Sequence, residues 1–153
     1  MGSLSGDEAA RERALDPTAS FIVQAPAGSG KTSLLTQRFL RLLGCVGRPE
    51  EVVAITFTRK AAAEMRHRIA SALAEAEREA PPDMSATHRL TRQLARAALE
   101  NSRRHGWELE RHPSRLHVQT IDGFGHWLAR RMPLASRFAL EPALLDDASP
   151  VLE

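Results

Sequence analysis

Apolar positions along the chain follow two rhythms, one of helices and one of strands. In 33–43, SLLTQRFLRLL, Leu34, Leu35, Phe39, Leu42 and Leu43 fall at helical spacing. A second stripe, Ala62, Met65, Ile69, Leu73 and Ala76, predicts a helix that Thr58 caps, that runs to about 79, and that Pro81 and Pro82 stop. A third helix is predicted over 87–105 from Leu90, Leu94, Ala97 and Ala98, with arginines on its other faces. Helix formers over 8–15 predict a short helix ended by Asp16-Pro17, because the residue before a proline avoids the α region. Between these lie dense β-branched runs, SFIVQ at 20–24, EVVAITF at 51–57 and LHVQTI at 116–121, which read as strands. The almost continuous apolar centre of the second run, Val52 to Ile55, predicts burial on both faces. Asp122 is then expected to cap a last short helix through Arg131.

Strand, glycine-rich turn, helix, strand, long helix, extra helix, strand, helix is the order of an α/β sheet with helical crossovers, so the three runs are expected to be neighbours in a mainly parallel sheet flanked by helices. Three regions are expected. Residues 1–16 form a flexible lead and short helix, residues 17–140 the main domain with a basic helical insertion at about 80–115, and residues 141–153 a truncated acidic tail.

Composition narrows the class. A chain of 153 residues, 42% hydrophobic and 26% charged, supports one compact domain and hardly two. No run of apolar residues is long enough to span a bilayer and no secretory leader is visible, while Cys45 alone excludes an internal disulfide framework and a cysteine-based metal cluster. A cytoplasmic protein without a membrane partner is therefore expected. Net charge is only +2, but 17–140 holds 19 basic residues against 11 acidic, a local +8 that would attract a polyanion if the charges share a face. The stretch 86–115 contributes seven arginines against three glutamates, which suggests an arm over nucleic acid with Trp107 or Trp127 to stack on a base; core packing is the first reading of either tryptophan.

The most specific chemistry lies at 25–32, APAGSGKT. It misses the strict GxxxxGK[ST] phosphate-loop pattern by one residue, Ala25 standing where glycine is expected. Gly28 and Gly30 permit a tight turn that aims backbone amides at phosphate oxygens, Lys31 supplies a point charge for the β and γ phosphates, and the Thr32 hydroxyl is placed to ligate Mg²⁺. An ordinary Gly/Ser turn leaves the adjacent Lys-Thr pair unexplained. No acidic partner of the kind such sites use is evident: Asp122 precedes glycine and reads as a cap, and Asp146-Asp147 sits between prolines. A stand-alone P-loop NTPase or nucleotide kinase, and a non-enzymatic anion- or nucleic-acid-binding module, both remain open on these residues.

APAGSGKT at 25–32, ITFTRKAAAEMRHRI at 55–69 and VQTIDGF at 118–124 occur in an order that resembles the amino-terminal motor domain of UvrD-like superfamily 1 helicases, most of all the RecB/AddA helicase/exonuclease branch. That resemblance implies an incomplete RecA-like P-loop NTPase domain of an ATP-dependent 3′ to 5′ DNA helicase/exonuclease in DNA repair or recombination. It assigns ATP and Mg²⁺ to Ala25, Pro26, Ala27, Gly28, Ser29, Gly30, Lys31, Thr32 and Ser33, with Lys31 catalytic and Thr32 the metal ligand. It assigns single-stranded DNA to Thr56, Thr58, Arg59, Lys60, Thr120, Asp122 and Phe124. Asp122 stands where that branch usually has histidine, and a carboxylate repels phosphate. The implied partners are the remaining motor and nuclease domains and a helicase/nuclease partner subunit. Without them, the chain is expected to turn over little ATP.

Overall fold

A computed structural model describes residues 6–26, 28–109 and 111–131, excluding the side chain of Asp7. Its elements are α1 (Gly6–Arg13), α2 (Lys31–Leu43), β1 (Val53–Thr56), α3 (Arg59–Ala76), α4 (Ala86–Arg104), β2 (His117–Thr120) and α5 (Ile121–Arg131), with short 3₁₀ turns at Pro49–Glu51 and Pro113–Arg115. Each predicted helix is present within a few residues of its expected bounds.

The centre is helical. α4 packs along α2 and α3, and the fully buried Leu40, Leu43, Ile69, Ala95 and Ala98 come from these three helices. All five residues of the predicted α3 stripe are buried; sequestering Ile69 and Leu73 contributes about 1.5–3 kcal/mol each. Asn101, buried on α4, donates through Nδ2 to the carbonyls of Leu43 and Val46, both at 2.8 Å, and so closes the end of α2. Gln37 on α2 reaches the other way, donating to the Thr87 carbonyl and Thr91 Oγ1.

β1 and β2 pair in parallel, with Val53 opposite His117 and Thr56 opposite Thr120. The pair Ala54 and Val118 faces α3, Val118 being 1% exposed, and Arg66 of α3 donates to the Val118 carbonyl at 2.5 Å. Two expectations fail at this sheet. Residues 20–24 are not a strand: 21–26 run without regular structure, and Ile22 is 99% exposed. A strand exists only through its ladder, and no described residue pairs with this segment, so β propensity finds nothing to act on. β1 is also covered on one face only. Val53 and Ile55 are 38% and 50% exposed and border an open cleft shared with Leu35, Phe39 and Leu42 of α2.

The cap of α5 also differs from expectation. The Thr120 hydroxyl accepts the Gly123 amide at 3.1 Å, whereas Asp122 lies inside the first turn. There its charge faces the positive end of the helix dipole, which explains a carboxylate at this place without a capping bond.

Candidate functional site

The phosphate-loop candidate joins the extended segment to α2. Gly28 and Gly30 adopt φ of +77° and +80°, left-handed values that a side chain disfavours. Gly30 is the N-cap of α2, with no side-chain acceptor for the first-turn amides and no acidic residue in that turn, so those amides retain their capacity for an anion. Lys31, partly buried, turns its ammonium back across the loop and donates to the carbonyls of Ala25 at 2.6 Å and Pro26 at 2.5 Å. Ser29 adds a buried Oγ that has no partner among the described residues. These donors fit a polyphosphate: Lys31 already bridges the loop and would exchange two neutral carbonyls for charged oxygens. Ala27 lies outside the described residues.

Thr32 and Ser33 take opposite sides of α2. Thr32 is exposed and borders an apolar cleft of about 440 Å³ shared with Thr56, Ala61 and Glu64, so the start of α2 and the carboxyl end of β1 open on the same space. Ser33 borders a separate cleft of about 830 Å³ toward His67 and His88. Among the described residues no group of three or more His, Cys, Asp and Glu could hold a metal. Asp146 and Asp147 lie outside the described residues.

Two arginines that the sequence pattern did not single out brace this region, one at the loop and one at the turn after α1. Arg11 of α1 donates through Nη2 to the Ser29 carbonyl, and its guanidinium lies against Gly30. Arg38 of α2 donates to the carbonyls of Ala14 at 2.6 Å, Asp16 at 3.0 Å and Ala19 at 2.8 Å, tying the turn after α1 to α2. Asp16 in turn accepts from the Thr18 hydroxyl and amide, bonds that hold its carboxyl below the usual range. All of these contacts span 18 or more residues or close a local turn, which is why no periodicity announced them.

The parallel register gathers the other candidates. Because Thr56 pairs with Thr120, the segments after the two strands emerge side by side. Thr58 caps α3 by accepting the Ala61 amide at 3.1 Å, and Thr56 Oγ1 donates to the Thr58 carbonyl at 3.1 Å. Arg59 and Lys60 are exposed in the first turn of α3, where the helix dipole disfavours cations and which itself holds no acidic residue, Glu64 one turn on attracting Lys60. Phe124 stacks on Trp127 with ring centroids 5.7 Å apart, and Arg131 covers the same indole at 4.7 Å.

The arginines of 86–115 have partners within the protein. Arg92 and Arg96 donate to the carbonyls of Glu75, Ala76 and Arg78, closing the end of α3. Arg89 bonds the Met84 carbonyl, while Arg103, Arg104 and Arg111 pair with Glu77, Glu100 and Glu108. Arg115 pairs with Glu50 at 2.9 Å; burial raises the Glu50 carboxyl, but the hydrogen bond and charge of Arg115 outweigh it and leave it lowered. Trp107 is 3% exposed and donates to the Gly47 carbonyl, which makes it a core residue.

A glycine turn at a helix start, beside a small parallel sheet flanked by helices, is the arrangement of an incomplete RecA-like α/β fold. The chain belongs to the UvrD/REP helicase N-terminal domain family, whose profile matches residues 7–147. It is similar to DNA helicase II of Haemophilus influenzae, 52% identical over 66 residues that cover 42% of this chain and 9% of that protein. DNA helicase II of Escherichia coli K12 is 48% identical over 60 residues, 39% of this chain and 8% of the relative. An ATP-dependent helicase/nuclease subunit from Desulforamulus reducens is 42% identical over 78 residues, 49% of this chain and 6% of the relative. The matched part thus spans less than a tenth of each of these relatives. No solved structure matches, and no described helix is long and apolar enough to cross a membrane.

Proposed function

We propose that this chain is the nucleotide-binding part of the motor of an ATP-dependent 3′ to 5′ DNA helicase, of the helicase/nuclease type, working in DNA repair or recombination. The observation that carries the reading is the loop at Gly28–Gly30, two left-handed glycines before an uncapped helix start with Lys31 and Thr32 in its first turn. Family membership supports the motor assignment, and the match to a helicase/nuclease subunit supports the branch. In this reading residues 25–33 hold the triphosphate, the amides and Lys31 neutralise its charge, and Thr32 holds the Mg²⁺ that travels with it. Bound Mg-ATP supplies the hydrolysis energy. Residues 17–140 are the motor portion, and Thr56 to Lys60 with Thr120 to Phe124 form one wall of a track for single-stranded DNA. The remaining motor and nuclease segments, and a helicase/nuclease partner subunit, would complete it.

Fluorescent Mg-ATP binding to the 153-residue chain tests the nucleotide half. Binding that Lys31→Ala removes, with phosphate release far below the usual enzyme turnover of about 1 to 10³ per second, is the expected result. Equal binding by the parent and Lys31→Ala would refute it.

A further inference from the structure

Arg11 has no role in the function proposed above, yet its guanidinium touches the phosphate loop from outside. We propose that Arg11 is a positioning residue for triphosphate binding, holding the Ser29 carbonyl on the α1 side so that the Gly30 amide points the other way, into the phosphate cradle. The proposal rests on the reading of residues 25–33 as a nucleoside triphosphate site.

Three observations carry it. Arg11 Nη2 donates to the Ser29 oxygen, a bond strengthened by the charge of the donor. The carbonyl of Ser29 and the amide of Gly30 belong to one planar trans peptide and point in opposite directions, so fixing the first aims the second. That peptide turns about the Cα atoms of Ser29 and Gly30; Gly30, at a left-handed φ, lacks the steric restraint a Cβ supplies, so its rotation is resisted from the Ser29 side alone. An external clamp is therefore the means by which the amide is aimed before the ligand arrives, and pre-aiming removes an ordering cost from binding.

The clamp is built on a fixed base. A Cβ at Gly30 would meet Arg11 Nη2 at 3.3 Å and Nη1 at 3.4 Å, so the guanidinium packs directly against the bare glycine. Arg38 ties the turn that follows α1 to α2 through three carbonyls, and Ala14 and Leu15 are buried beside it. α1 is thereby held against the helix that the loop begins. Between α1, residues 21–25 and the loop lies a cleft of about 450 Å³ bordered by both Arg11 and Lys31.

The test uses the 153-residue chain and its Arg11→Met, Arg11→Lys and Lys31→Ala variants, each checked for fold by far-ultraviolet circular dichroism. Methionine keeps the aliphatic stem without a donor, and lysine restores one. Mg-ATP affinity is expected to fall about tenfold in Arg11→Met, the scale of one lost hydrogen bond to a charged group, and to recover to within about threefold of the parent in Arg11→Lys. The Gly30 amide resonance of the nucleotide-free protein is expected to move in Arg11→Met and to return toward the parent position in Arg11→Lys. Unchanged affinity in Arg11→Met, beside a parent that binds and a Lys31→Ala that does not, overturns this proposal and leaves the nucleotide reading standing. Weakened affinity with an unmoved Gly30 resonance overturns it too, because Arg11 then acts on the nucleotide as a charge and not through the loop. A parent that binds Mg-ATP no better than Lys31→Ala overturns the nucleotide reading and this proposal with it.

Discussion

Removing Arg59 and Lys60 together is expected to weaken single-stranded DNA binding while leaving the fold as stable as before, or more so. Both side chains are exposed at the start of α3, and the first turn holds no acidic residue. If each contacts one phosphate, each adds roughly 0.7 to the slope of log affinity against log salt, so the double Ala variant lowers the slope by about 1.4. Between about 50 and 200 mM salt the parent then loses about sevenfold more affinity than the variant. Stability moves oppositely, because a cation at the positive end of a helix costs about 0.3–1 kcal/mol at low salt. Lys60 returns part of that through its attraction to Glu64, whose carboxyl is lowered first by its hydrogen bond from Arg68. The net change on removing both should lie between zero and about 1 kcal/mol of stabilisation. Fluorescence anisotropy over a salt series, paired with urea unfolding, reads both quantities. Equal slopes and equal affinities for the two proteins would show that these cations are not phosphate contacts. Weaker binding together with a lower unfolding midpoint would mean that the loss came from damage to α3.

Gly30→Ala is expected to abolish measurable Mg-ATP binding in the same fluorescence assay, with about 1–2 kcal/mol lost in urea unfolding, since Gly30 sits at φ +80° with Arg11 only 3.3 Å from a new Cβ. Asn101→Ala leaves the buried Leu43 carbonyl and the partly buried Val46 carbonyl without their donor and should cost about 1–3 kcal/mol by urea unfolding, more than any exposed substitution on α4. Glu50→Gln is expected to flatten acid unfolding. The Glu50 carboxyl is held below its ordinary 4.5, so its contribution is present above that pH and is lost as pH falls through the lower folded value; the half-exposed pair limits the difference to about 1 kcal/mol.

The sequence by itself determined what depends on neighbours along the chain. Helical periodicity placed α3 and its buried stripe residue for residue, the Thr58 cap followed from one hydroxyl before an amphipathic run, and the loop chemistry was legible because Gly28, Gly30, Lys31 and Thr32 lie within five positions. Only the tertiary structure decided what depends on partners far away in sequence. A strand needs an adjacent edge, so residues 20–24 look like a strand and are not one, and Val53 and Ile55 keep one face open although their composition argued for two covered faces. Charge counting could not tell an arginine that seeks a phosphate from one that closes a helix end; Arg92 and Arg96 proved to serve α3, while Arg59 and Lys60 stayed exposed. The clamp of Arg11 on Ser29 and the tie of Arg38 to the turn after α1 cross 18 to 24 residues, and no local pattern encodes a hydrogen bond whose two ends meet only after the chain has folded.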